Sequence, residues 1–201
     1  MKFLSKIKSQ IKPKKENRKV KFSAGDFNKS DIEFDYGNIY QQTDNSIKIS
    51  ANNNQVKLLT KLLESLKPPY YVLYVLVTSR TEKEIGRYQS PLFENKDDLI
   101  SFLRLYEDYF ETDGRHHIWI GTTDNSGLIV YDQHNVVFGY GPLALFEKTI
   151  IEEFNYKQKE FEFPAPHCHS FHPENDIYEE SLINYFDWDI FPLQAQDTYD
   201  D

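Results

Sequence analysis

One cysteine, Cys168, stands in a chain of 201 residues. No intramolecular disulfide can therefore form, and the composition suits a reducing, cytoplasmic compartment. No apolar run approaches the ~20 residues that cross a bilayer as a helix. A secretory signal is also missing, because it needs an uninterrupted apolar stretch of ~7–15 residues, and after Lys2 the only adjacent apolar pair is Phe3-Leu4. Glycine is scarce, at 8 residues, and the chain contains no Walker-type phosphate loop, no GxGxxG turn and no GxSxG elbow. Paired carboxylates such as Glu152-Glu153 and Glu179-Glu180 diverge by ~100° on predicted helices. Neither a nucleotide enzyme nor a glycosidase is recommended by these features. Lys and Arg are absent from residue 160 onward, where 11 acids lie.

Aromatic residues are plentiful, with 15 Phe, 14 Tyr and 2 Trp. They can fill a substantial core, which excludes a wholly disordered chain. Charge is divided unevenly. Residues 1–21 carry a net +8, and the remainder carries −17 within a total of −9. In the basic start, Phe3, Leu4, Ile7 and Ile11 fall at helical spacing until Pro13. The start reads as a flexible arm, suited to anionic lipid or nucleic acid if it has a ligand. The acidic body would repel phosphates, so nucleic-acid binding is not expected of the folded part.

Helical periodicity marks Val56, Leu59, Leu62, Leu63 and Leu66, with caps sought among residues 52–54, and marks residues 97–110 as one helix. The apolar run at 70–78 reads as a central strand covered on both faces. Residues 31–36, 46–50 and 85–89 are further β-prone pieces, and 116–122, 128–131 and 136–140 read as an antiparallel meander with turns at 124–127 and 132–135. Pro142 opens a last long helix, and 177–186 suits a short one. The expected class is α+β: an antiparallel or mixed sheet of about five to six strands, helices mainly on one face, single domain. The expected organisation is a basic flexible arm at 1–21, one domain at 22–193 and a loose acidic tail at 194–201.

All six histidines lie between residues 116 and 172. If 166–170 is extended, His167 and His169 project to one side and Cys168 to the other. A turn would bring His172 and Glu174 back, giving a His167, His169, His172 and Glu174 set suited to Zn²⁺ or another first-row divalent ion. The set does not match HExxH. A second cluster, Arg115, His116 and His117, offers an anion clamp and acid–base groups. A third, Asp132 and His134, sits at a hairpin tip and lacks a nucleophile. Each cluster also has a purely structural explanation in satisfied core histidines and internal ion pairs.

Two functions from different classes fit these features. The leading one is an acidic, aromatic-rich cytoplasmic module that docks a basic protein partner, as an immunity-type inhibitor of a toxin would, and needs no cofactor. Its expected surface is Glu174, Asp176, Tyr178, Glu179, Glu180, Tyr185, Asp187, Trp188 and Asp189. The alternative is a metal-dependent hydrolase that uses the His167/His169/His172/Glu174 set, assisted by His116, His117 or Arg115.

Overall fold

The structure is a computed structural model that describes residues 19–25, 33–51 and 54–198. The helical spacing read in residues 3–11, and residues 31–32 of the first β-prone piece, lie outside these residues. In chain order the elements are β1 (Phe22–Ala24), β2 (Ile39–Gln42), β3 (Ile47–Ser50), α1 (Gln55–Leu62), β4 (Tyr70–Leu76), β5 (Gly86–Gln89), α2 (Lys96–Leu105) and α3 (Glu107–Thr112). They continue as β6 (His116–Thr122), β7 (Leu128–Tyr131), β8 (Val136–Tyr140), α4 (Leu143–Phe154), β9 (Lys157–Gln158), β10 (His167–His169), α5 (Asp176–Ile183) and β11 (Asp189–Phe191).

The α+β class holds, with a mixed sheet larger than expected. Nine strands run in the order β11-β5-β4-β6-β7-β8-β3-β2-β9, while β1 and β10 form a separate two-stranded ribbon. The β2–β9 pair is parallel and the other pairs in the sheet are antiparallel. Strands β9 and β11 are two and three residues long. Pieces so short carry no alternation signal and exist through tertiary pairing.

Alternation sets the two faces of the sheet. Val72, Tyr74 and Leu76 of β4, Ile118 and Ile120 of β6, and Ile129 and Tyr131 of β7 join residues of α1 to α5 in one core. The expected single helix at 97–110 bends at Tyr106, which is buried and whose hydroxyl lies 3.1 Å from Ser181 Oγ. At the start of α1, Asn54 is left-handed and its side chain makes no cap bond, and Glu111 instead accepts from Val56 N at 2.9 Å.

On the opposite face Arg87 pairs bidentately with Asp197 (2.7 Å for both contacts) and lies 5.0 Å from the centre of the Trp119 ring. Asp197 is therefore buried in the body rather than in a loose tail beginning at 194.

Lys21, assigned to the arm by its charge, is fully buried. Its Nζ donates to Phe110 O at 3.1 Å and lies 3.8 Å from the centre of the Tyr131 ring. Burial lowers its pKa from 10.5 to about 7, against the opposing charges of Asp132, Asp113, Glu33 and Glu111. Between those pH values the unfolded chain holds a proton that the folded chain does not, so this group's contribution to stability rises with pH. Relative to Lys21→Met, the native chain should gain about 1.4 kcal/mol per pH unit in that window. Urea unfolding of both proteins at pH 7 and pH 9 checks this, and curves that stay parallel would contradict it.

Candidate functional site

The tip between β7 and β8 is organised by Asp132. Its Oδ1 accepts the backbone N–H groups of His134 and Val136, each at 2.9 Å, while Asn135 takes the left-handed φ of 58°. Asn tolerates that conformation better than most residues. Asp132 Oδ2 lies 3.0 Å from His134 Nδ1, so the carboxylate fixes the ring and leaves Nε2 to point elsewhere. Burial opposes the Asp132 charge, but the hydrogen bond and charge of His134 still lower its pKa.

The β1–β10 ribbon supplies the next two rings. Phe22 pairs with His169, Ser23 with Cys168 and Ala24 with His167. Cys168 Sγ is buried at 3.0 Å from Ser23 Oγ, while His167 and His169 project to the other side, as alternation predicts. The ribbon is held to the body by Gly114 N donating to Ser170 O and Ser170 N donating to Lys21 O, both at 3.0 Å. A Cβ at Gly114 would sit 3.0 Å from His169 Cβ and 3.0 Å from Lys21 O, so glycine permits this approach.

The two pieces converge. His134, His167 and His169 each offer a ring nitrogen, and these atoms all lie within 4.8 Å of one another. Phe22 packs beneath all three rings at centroid distances of 5.3 to 5.6 Å. Phe163, 45% exposed, stands at the rim, 4.9 Å from His134 and 5.1 Å from His167. Burial, with the neighbouring His134 and His167, pushes His169 down to about 3, so it is neutral at physiological pH.

The expected four-residue set is therefore divided. His172 Nε2 donates to Val20 O at 2.8 Å, and Glu174 is exposed, 3.7 Å from Lys19 Nζ. His134, noted in the sequence only for its neighbour Asp132, takes their place.

The Arg115, His116 and His117 cluster is interior. Arg115 is fully buried, with contacts to Asp113 (2.7 and 3.0 Å), Glu179 (2.5 Å), Asp176 (3.0 Å) and the carbonyl of His172 (3.1 Å). These partners occupy the guanidinium fork that a ligand anion would need. His116 stacks among Tyr74, Tyr109 and Phe110, and neither ring nitrogen has a hydrogen-bond partner among the described residues. Burial drives its pKa well below the usual value. His117 lies buried on the opposite face of β6 and is lowered to about 4, chiefly by burial.

The expected acidic surface also divides. Glu179 is buried against Arg115, Ser79 and Thr81, and Asp176 contacts both Arg115 and Arg80. Trp188 packs on Tyr74, Tyr88, Phe102 and Phe186, and its indole N–H donates to Leu182 O. Tyr178 stacks on Tyr109, and Tyr185 packs against Phe102 and Tyr106. Glu180, Asp187 and Asp189 are exposed and form no ion pair among the described residues. Ile190 (49% exposed) and Phe191 (47%) adjoin Asp189 on β11 at the sheet edge.

No known family, curated protein or solved structure matches the chain significantly. Among the described residues no helix is long and apolar enough to cross a membrane.

Proposed function

We propose that the protein is a binding module that docks a basic protein partner along Asp187, Asp189, Ile190 and Phe191, with Glu180 at the margin. The observation that carries this reading is the sorting of the acids. Arg115, Arg87, Arg80 and Lys19 engage Glu179, Asp197, Asp176 and Glu174. Of the acids expected on the surface, Glu180, Asp187 and Asp189 form no ion pair among the described residues, and Asp187 and Asp189 adjoin the half-exposed Ile190 and Phe191 in a stretch without a single Lys or Arg. Exposed acids steer a basic partner during encounter, and large apolar side chains hold it after contact. Trp188 belongs to the core in this arrangement, so its truncation should cost stability first.

Proteins recovered from a lysate on the immobilised chain, then purified, provide the partner for stopped-flow measurement. Asp187→Lys with Asp189→Lys should slow association about tenfold at low salt, and the difference should shrink as salt rises. Ile190→Ala with Phe191→Ala should mainly speed dissociation. Binding by a basic partner that ignores both double variants, or recovery of no basic partner, would contradict the reading.

A further inference from the structure

We propose that His134, His167 and His169 hold one divalent first-row transition ion, best matched by Zn²⁺, with water in the fourth position. The ring centroids are separated by 5.2 Å for His134–His167, 4.7 Å for His134–His169 and 5.3 Å for His167–His169. A tetrahedral ion with metal–nitrogen bonds of ~2.05 Å would place each ring centre ~3.2 Å from the metal and adjacent ring centres ~5.2 Å apart. His134–His167 and His167–His169 already occupy that spacing, and His134–His169 at 4.7 Å is slightly closer. Their planes are inclined to one another by 72°, 63° and 80°, so the rings are not stacked, and a nitrogen of each lies within 4.8 Å of the other two.

Hydrogen bonding points to the same ligand. His134 Nδ1 faces the buried carboxylate of Asp132 at 3.0 Å. A carboxylate behind a ligating imidazole fixes its tautomer and strengthens the far nitrogen as a donor. His169 Nδ1 is buried without a hydrogen-bond partner among the described residues. An orphaned polar nitrogen costs folding free energy unless something satisfies it, and a metal bond does so. Phe22 beneath the rings and Phe163 beside them hold the group in an apolar setting.

Donor chemistry narrows the ion. The set is all imidazole, which suits Zn²⁺, Cu²⁺ or Ni²⁺ and does not suit Mg²⁺ or Ca²⁺, whose ligands are oxygens. Cys168 stands between two of the ligands in sequence, but its sulfur lies on the far side of the ribbon against Ser23. Three imidazole ligands and a water in the fourth position describe a zinc centre of the open type, in which the metal lowers the pKa of its bound water. None of these residues belongs to the proposed docking strip, so the two proposals stand or fall separately.

The test uses the full chain, purified without a histidine tag and stripped with a chelator, and titrated with ZnCl₂ against a competing chelator. The expected result is one Zn²⁺ per chain. His134→Ala and His169→Ala should each weaken binding by at least a hundredfold, and Asp132→Asn by ten- to a hundredfold. His172→Ala and Cys168→Ser should bind as the native chain does. Circular dichroism of each metal-free variant identifies those that remain folded, and only these are scored. Should a histidine-to-alanine variant unfold, His169→Gln, which keeps a polar side chain of similar reach, takes its place. A folded native chain that takes up no Zn²⁺, binding that survives loss of His134 and His169, or binding abolished by His172→Ala would overturn the proposal.

Discussion

Arg115→Met is expected to destabilise the fold by about 3–5 kcal/mol, the usual cost of removing one partner from a buried ion network. Against ~5–15 kcal/mol of total stability for a typical domain, that loss is large. Asp113 and Glu179 are fully buried, and without the guanidinium each would keep its charge in a dry interior or take up a proton. Burial works against ionisation of Glu179, and hydrogen bonds from Arg115, Ser79 and Thr81 hold its pKa below the usual range. Burial likewise works against the Arg115 charge, and Asp113 and Glu179 outweigh it. Adding Asp113→Asn and Glu179→Gln to Arg115→Met should restore part of the loss, because no unpaired charge would remain. Urea unfolding of the single and triple variants measures both effects. A single variant within 1 kcal/mol of the native chain would show that the network is not holding the fold.

Val72→Asp should abolish folding, whereas Val75→Asp should leave a weakened but cooperative fold. Both valines are fully buried on β4 and point to opposite faces. Val72 lies opposite Ile120 in the helix-packed core, and Ser90 is its neighbour toward β5, so a carboxylate there would meet no cation. Burying such a charge costs several kcal/mol beyond the lost apolar contact. Val75 lies between Arg87 on β5 and His117 on β6, in register with both. A carboxylate there meets the Arg87 cation, which it would share with Asp197, beside the uncharged ring of His117. Thermal unfolding of the two variants reads the difference, and the reverse order of stability would contradict the assignment of faces.

These contrasts show why some features were legible in the sequence and others were not. The β6–β7–β8 meander follows from local alternation and from Asn and Asp at its turns, so its bounds could be read directly. The common side of His167 and His169 follows from the same two-residue period. The position of His134 beside them does not. It depends on β1 pairing with β10 across more than a hundred residues and on Asp132 turning the His134 ring, and neither leaves a periodic trace. The burial of Lys21, Glu179 and Asp197 was hidden for a related reason. A charged residue reads as exposed until its partner is known, and here Phe110 O, Arg115 and Arg87 come from distant segments. The acid count of the C-terminal stretch was correct, but the share left facing solvent depended on those partners.

The convergence of His134 from the β7–β8 tip with His167 and His169 from the β1–β10 ribbon is tested most directly by X-ray absorption at the zinc edge of the loaded full chain. The account predicts three imidazole nitrogens at ~2.0–2.1 Å and one oxygen at ~2.0–2.2 Å. A sulfur shell at ~2.3 Å, which would place Cys168 on the metal, or a six-coordinate shell with fewer than two imidazoles, would contradict it.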